Sequence, residues 1–335
     1  MKPLVCALML AACASSLRGA KGLEVISIDV EGGQSTLFVS PSGESMLVDA
    51  GWSGFNGRDA SRIAAAAKMA GVKKIDYLVI THYHDDHVGG VQNLSHKIPI
   101  MHFVDHGQNS ETDKAATIRF TEYLAFAEGK RTVAKPGDTI PIKGLDVKVL
   151  SSDGNVIASP LPGAGQPNPA CQGYPQPAAA TSENPHSLGI LVAYGVFRMI
   201  DLGDLTGDKD YQLACPVNKI GPVDAYVVSH HGGEDSGSIP FLRAIQPRVA
   251  IMNNGAKKGG AAAMFEALHG ARSPIELWQL HYAINAGKEN NANDSFIANL
   301  EEVCEGKWIR LNAEKDGSFQ VYNSRNKFEK NYPKK

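Results

Sequence analysis

Four side chains that commonly bind metal ions occur within six residues of this 335-residue sequence: His82, His84, Asp86 and His87. A short apolar run at residues 75–80 leads directly into them. Imidazole and carboxylate groups suit Zn²⁺ and similar ions. In a tight turn after a buried strand, alternating residues can face one ion while the next pair faces another. The spacing therefore predicts a site for two adjacent metals, with a His-rich surface loop as the alternative.

Two ions about 3.5–4 Å apart can hold a hydroxide between them and stabilise both the attacking and the leaving oxygen of a displacement. The two cations lower the pKa of the water that they share, so that hydroxide forms at neutral pH. The sequence has no Gly-x-Ser-x-Gly motif and no convincing Ser-His-Asp order, so no protein nucleophile is expected. We expect a hydrolase that uses two divalent ions, with zinc favoured and manganese or iron as alternatives.

The elements that must position these residues alternate between strands and helices. Strands are predicted at residues 23–29, 35–40, 44–49, 75–80, 98–104, 187–194, 197–202, 223–228, 248–252, 308–311 and 318–322. Helices are predicted at residues 60–70, 117–127, 241–245 and 261–268, and a hairpin at residues 139–150. Residues 151–185 are rich in Pro, Gly, Ala and Ser and predict a long irregular loop. Two strand-rich halves with interspersed helices predict sheets sandwiched between helices.

Residues 81–90 resemble the signature of the metallo-β-lactamase superfamily. The resemblance implies an α/β (α+β) fold, an αββα sandwich of two mixed β-sheets flanked by helices. Asp49 in Leu-Val-Asp-Ala-Gly matches the acidic residue that braces the metal loop, and Asp204 in Leu-Gly-Asp-Leu matches the carboxylate that bridges the two metals. The resemblance covers nearly all of residues 23–335, which we expect to form one hydrolase domain with an insertion at 151–185.

The resemblance also implies a ligand set. The expected metal ligands are His82 and His84 for one ion, Asp86, His87 and His231 for the other, and Asp204 as the bridge. His230 is expected to support a ligand or to contact substrate, and exchanging it with His231 leaves the mechanism unchanged. His106 follows a predicted strand at the same rim and is a candidate for substrate contact. The side chains expected to act in catalysis are Asp86, His230 and His106.

The sequence departs from the broader family at one ligand. Many members have a further histidine roughly twenty or more residues before the bridging Asp, whereas here the nearby His186 lies somewhat too close to Asp204. Either His186 binds the first metal, or that site stays open to water or substrate.

Four features are most similar to two groups within the superfamily. These features are Asp29-Val-Glu-Gly-Gly, the Asn184/Ser187 pair, Gly203-Asp204 and His230-His231-Gly232. The groups are the hydrolase domain of competence DNA-uptake channel proteins and the phosphorylcholine esterases, so the resemblance favours a phosphodiester or other small-molecule substrate. A β-lactam or lactone hydrolase and a non-catalytic, metal-stabilised binding protein are the alternatives.

Other polar residues carry weaker signals. Asp85 can orient a ligand histidine. Lys257 and Lys258 can meet an anionic group, although a solvated charged loop is favoured. Trp278 and His281 can line a substrate site, but a core tryptophan beside an incidental histidine is at least as plausible.

The composition and the N-terminal residues indicate which partners and which cellular location this protein can have. A net charge of −2 and 43% hydrophobic residues are typical of an ordinary globular protein. They indicate no stable nucleic-acid partner, although a neutral protein can have a cationic cleft. Residues 1–22 predict an export signal, either with lipidation at Cys13 or with cleavage after Ala14; an N-terminal helix is the alternative. We therefore expect a periplasmic protein or a lipoprotein whose only membrane contact is that anchor.

Three cysteines follow the predicted signal, in a compartment that permits disulfides: Cys171, Cys215 and Cys304. None has metal-ligand spacing. One disulfide and one free thiol are expected, and Cys171 with Cys215 is the pair that we favour, although the sequence alone leaves the pairing open.

Overall fold

The structure is a computed structural model that describes residues 22–271 and 273–335. The predicted export signal lies outside these residues apart from Gly22, so the alternatives at Cys13 and Ala14 stay predictions. No helix within the described ranges combines the length and the apolar composition needed to cross a bilayer.

Strands and helices follow one another along much of the described chain. In chain order the strands are β1 (Leu23–Ser27), β2 (Thr36–Val39), β3 (Ser45–Val48), β4 (Ile75–Val79), β5 (Ile100–Asp105), β6 (Arg131–Val133), β7 (Asp146–Ser152), β8 (Asn155–Val156), β9 (Gly189–Tyr194), β10 (Phe197–Asp201), β11 (Ala225–Val227), β12 (Val249–Met252), β13 (Glu276–His281), β14 (Ile297–Asn299), β15 (Ile309–Ala313), β16 (Phe319–Asn323) and β17 (Glu329–Tyr332). The α-helices are α1 (Arg58–Met69), α2 (Asp85–Val88), α3 (Val91–Ser95), α4 (Lys114–Ala127), α5 (Gly207–Ala214), α6 (Ile239–Ile245) and α7 (Ala262–His269).

The strands form two mixed sheets. The spatial order of the first sheet is β17-β16-β15-β1-β2-β3-β4-β5-β6, and that of the second is β14-β13-β12-β11-β10-β9-β7-β8. Strands β3 to β6 run parallel, as do strands β10 to β14. The carboxyl ends of parallel neighbours meet at one edge, which is where α/β sheets usually bind ligands. The loops after β4, β10 and β11 therefore start from such edges.

Hydrophobic packing joins the sheets and covers their outer faces. Successive residues of a strand point to opposite faces, so Val25 of β1 packs between the sheets while Ile26 packs under the helices. The cluster between the sheets includes Trp278. Two outer clusters bury residues of α1 and α4 against the first sheet, and of α6 and α7 against the second. This arrangement is an αββα sandwich and confirms the predicted fold class.

The predicted hairpin at residues 139–150 is present in an irregular form. Backbone hydrogen bonds join Ile140 to Val147 and Asp138 to Val149, and Thr139 and Lys148 form an isolated antiparallel bridge. The second arm of this hairpin is part of β7, which also pairs with β9, because Val147 and Val149 lie in the core between the sheets. The sequence did not predict α2, α3, α5, β6, β8, β13, β14 and β17.

The irregular loop predicted at residues 151–185 is present and is tied to the second sheet's helical layer. A disulfide joins Cys171 in this segment to Cys215 after α5, which confirms the favoured pairing. Backbone bonds from Leu161 and Gly165 to Lys219 and Asn218 reinforce the attachment. Cys304 is a free thiol.

Candidate metal centre

The loop after β4 places its ligand-type side chains on two sides of one turn. Thr81 to His84 are extended, and α2 then turns the chain so that Asp86 and His87 point back into the protein. The Nε2 atom of His82 lies 3.0 Å from Nδ1 of His84. The two ring nitrogens face each other across the distance expected between two ligands of one ion.

Four buried side chains from both sheets converge beside this pair: Asp86, His87, Asp204 and His231. His87 Nε2 lies 3.2 Å from Asp86 Oδ2, from Asp204 Oδ2 and from His231 Nε2. His231 Nε2 lies 3.1 Å from Asp86 Oδ2 and 3.3 Å from Asp204 Oδ1. Neighbouring ligands around a tetrahedral Zn²⁺ at 2.0–2.1 Å are separated by roughly 3.3 Å. The group therefore fits a divalent ion.

Asp204, a member of this group, also lies near His82 of the His82–His84 pair. It follows β10, and its Oδ2 atom also lies 3.9 Å from His82 Nε2 and 3.6 Å from His230 Nε2. Gly203 lets Asp204 approach the β4 loop, because a Cβ atom at this position would lie 2.6 Å from Cβ of Thr81. Gly203 also has φ +57°, a conformation that glycine adopts without strain.

The two adjacent histidines after β11 diverge. His230 and His231 both have positive φ, at 51° and 53°, so the chain turns sharply between them. His231 is buried in the four-residue group, whereas His230 is partly exposed and lies 3.3 Å from the Asn184 amide nitrogen and 2.5 Å from Asp235. His231 is therefore the one of the pair that faces Asp86 and His87.

Asp49 orients His87 from behind. Its Oδ2 atom lies 2.7 Å from Nδ1 of His87, and it also accepts hydrogen bonds from the amide and hydroxyl of Thr81. A carboxylate at one ring nitrogen fixes the tautomer and turns the other nitrogen toward a cation. Asp49 thus holds the β4 loop in the position that this site requires.

The charges of the group balance one another. Burial by itself raises the pKa of Asp204, but the charges of His231 and His87 outweigh burial and hold that pKa well below its usual value. Burial, together with the charge of His87, lowers the pKa of His82 well below its usual value, which favours the neutral, ligand form of that ring. Buried carboxylates and neutral imidazoles are a donor set suited to binding metal ions.

Lys258 belongs to this site, although the sequence favoured a solvated loop. Its ammonium contacts Oδ2 of Asp86 and lies 4.6 Å from the ring centre of Trp52. The neighbouring Lys257 pairs instead with Glu302 on the surface. The side chains of Lys257 and Lys258 point in different directions along an irregular loop. No periodic pattern in the sequence indicates which of the two lysines faces the site.

Other predicted site residues lie elsewhere. His106 is buried with its Nε2 atom 2.7 Å from Glu183 and lies outside the four-residue group, so its contact with substrate stays a prediction. His186 lies 3.2 Å from Asp153 and outside the four-residue group. Trp278 is a core residue, and His281 is buried 2.9 Å from Asp29.

One protein family matches part of the chain. Residues 28–166, which contain Asp49 and the whole β4 loop, match the family model described as the metallo-beta-lactamase superfamily. This region of the chain, together with the αββα sandwich, is therefore similar to the metallo-β-lactamase superfamily.

Two curated relatives are similar to parts of the chain. ComE operon protein 3 of Bacillus subtilis is 29% identical over 193 residues, which are 55% of this chain and 20% of the relative. Ribonuclease Z of Methanopyrus kandleri is 26% identical over 123 residues, 36% of this chain and 40% of the relative. The chain thus matches a fifth and two-fifths of the lengths of these relatives.

Two solved structures are similar to parts of this chain at low sequence identity. The metallo-beta-lactamase fold protein YhfI from Bacillus subtilis is 12% identical, with a TM-score of 0.46 over 76% of this chain and 96% of that chain. Zn²⁺-bound PqqB from Methylobacterium extorquens is 17% identical, with a TM-score of 0.42 over 70% of this chain and 89% of that chain.

We predict that Asp49→Asn weakens the binding of divalent metal by about 10–100-fold, because carboxylates that hydrogen-bond a ligand histidine have effects of this size. Asparagine also tolerates the φ of 62° at this position, so that the backbone is preserved. Competition with a chromogenic chelator measures the affinity. Asp85→Asn is the matched control, since Asp85 bonds Ser53 at the surface of the same loop. Equal metal affinity in Asp49→Asn and wild-type protein would refute the orienting role.

Proposed function

We propose that this protein is an exported binuclear hydrolase that cleaves phosphodiester substrates. The observation that carries the proposal is the position of Asp204. One of its oxygens lies 3.2 Å from His87 Nε2 and 3.9 Å from His82 Nε2, and the other lies 3.3 Å from His231 Nε2. A carboxylate in contact with both histidine groups is suited to bridge two ions.

The residues divide into two ligand sets around that carboxylate. His82 and His84 would hold one ion, Asp86, His87 and His231 the other, and Asp204 both. Two bound divalent ions would supply Lewis acidity and an ionised water as nucleophile. The imidazole-rich set favours zinc, with manganese or iron as alternatives. His230 is partly exposed and lies 3.6 Å from Asp204, with the Asn184 amide 3.3 Å from its ring, so that these groups can contact a substrate oxygen.

A phosphodiester substrate is supported by charge and by the relatives. Lys258 provides a cation at the edge of the site, in a protein with a net charge of −2. When Asp86 is engaged by an ion, the ammonium is free to pair with a phosphate oxygen. One of the two curated relatives is named a ribonuclease. Its name therefore denotes cleavage of a phosphodiester backbone.

Export is supported by the disulfide as well as by the N-terminal sequence. A bond between Cys171 and Cys215 persists in an oxidising compartment and is rare in the cytosol. Alkylation of free thiols in intact cells, followed by fractionation and peptide mapping, tests this proposal. We expect an unmodified Cys171–Cys215 pair in the exported fraction. A cytosolic protein with both cysteines alkylated would contradict it.

The catalytic proposal is tested with bis-p-nitrophenyl phosphate, phosphorylcholine esters and nitrocefin, each with Zn²⁺ or Mn²⁺. We expect phosphodiester turnover that falls at least about 100-fold in Asp204→Ala and in Asp86→Ala, because each change leaves the ligand group incomplete. Asp85→Asn serves as the control and should keep its turnover.

Two outcomes would contradict this proposal. Turnover of nitrocefin alone would instead support a β-lactam hydrolase. Tight metal retention without turnover of any of these substrates would favour a binding protein.

We expect Lys258→Gln to raise KM for the phosphodiester about 10-fold and to change kcat less, because the ammonium would pair with a substrate phosphate once an ion engages Asp86. Lys257→Gln is the matched control, one residue away but paired with Glu302 at the surface. Steady-state kinetics at saturating metal separates the two parameters. An equal KM in the two variants would exclude Lys258 from substrate binding.

A further inference from the structure

A second cluster of ligand-type side chains lies at the junction of the two sheets. It consists of His106, directly after β5 of the first sheet, Asp153, directly after β7 of the second sheet, and His186, shortly before β9. One ligand atom of each residue lies within 4.8 Å of those of the other two. The amide of Asp153 donates a hydrogen bond of 3.0 Å to the carbonyl of His186, which ties two members of the cluster together.

His106 has the environment of a metal-binding histidine. Its Nε2 atom lies 2.7 Å from Oε1 of Glu183, and both side chains are buried. A carboxylate that accepts from one ring nitrogen leaves the lone pair of the other available to a cation. Glu183 is the acceptor in this pair, and it also accepts hydrogen bonds from the amide and the hydroxyl of Ser110, so its position is fixed.

The other nitrogen of the His106 ring needs a partner. The Nδ1 atom is buried, and no hydrogen-bond partner for it occurs in residues 22–271 or 273–335. Leaving a buried polar atom without a partner is destabilising. Since Nε2 is already engaged by Glu183, Nδ1 is the atom that His106 offers to the cluster. A bound cation would satisfy it.

Asp153 and His186 complete the cluster from the solvent side. His186 Nδ1 lies 3.2 Å from Asp153 Oδ1, and the two side chains are 29% and 62% exposed. The ligand atoms around a bound zinc ion are roughly 3–3.5 Å apart. This is closer than the 4.8 Å within which the three ligand atoms of this cluster lie. The Asp153 side chain is mostly exposed, so packing restrains it less than it would a buried carboxylate.

We propose that His106, Asp153 and His186 form a further site for a divalent transition-metal ion, separate from the centre at Asp204. Two imidazoles and a carboxylate suit zinc and its neighbours in the first transition series. Three protein ligands leave at least one coordination position open to water or to an anionic ligand. The site shares no ligand with the hydrolytic centre, so it stands independently of the phosphodiesterase proposal.

Zinc stoichiometry tests this site without reference to activity. The metal-free full chain is titrated with Zn²⁺ by calorimetry, and bound zinc is counted after equilibrium dialysis. We expect wild-type protein to bind one more ion per chain than His186→Ala or Asp153→Ala. Both substitutions are at exposed side chains, so the core should remain folded. His269→Ala removes an exposed histidine elsewhere and should bind as much zinc as wild-type protein.

Two further variants separate the sites. His231→Ala should lose zinc from the hydrolytic centre and keep the ion at His186. Glu183→Gln should weaken only the proposed site, by about 10–100-fold, because Glu183 orients His106 without touching the ion. Equal zinc content in wild-type, His186→Ala and Asp153→Ala proteins would overturn the proposal, whatever their hydrolytic activity.

Discussion

The buried carboxylate of Asp204 is the contact on which the metal centre depends. It lies among His87, from the first sheet, and His231, from the second, at 3.2 and 3.3 Å. A buried charge is tolerated only when it is paired, so the loops that carry these imidazoles cannot separate without a large cost in free energy. The same contact that joins the two sheets at this end therefore also assembles the ligand groups.

Support for this contact extends outward through the first sheet. Asp49 ends β3 and fixes the ring of His87, while Gly203 permits the loop after β10 to pass close to Thr81. The strands behind these loops are buried on both faces, which makes them rigid supports. The positions of the candidate metal ligands therefore depend on packed hydrophobic residues that are not ligands themselves.

The loops at the strand ends contain further charged and ligand-type side chains beside the candidate metal centre. Lys258 approaches Asp86 from the loop after β12, and the cluster of His106, Asp153 and His186 occupies the side where β5 meets β7 and β9. Both features come from irregular segments that follow or precede strands. Such segments have no periodicity, so a sequence pattern gives no information about which of their side chains face one another.

The sequence alone predicted the αββα class, through the alternation of strands and helices and the resemblance of residues 81–90 to a known family. It also predicted the residue types of the centre, because the β4 loop carries four ligand-type side chains within six positions. Tertiary structure decided the rest. Asp204 and His231 meet His87 across more than a hundred residues, a proximity set by how the sheets pack. The same packing paired β7 with β9 and buried His106 against Glu183. Local patterns reflect neighbours in the chain, whereas these contacts depend on burial of surfaces that only the folded sandwich brings together.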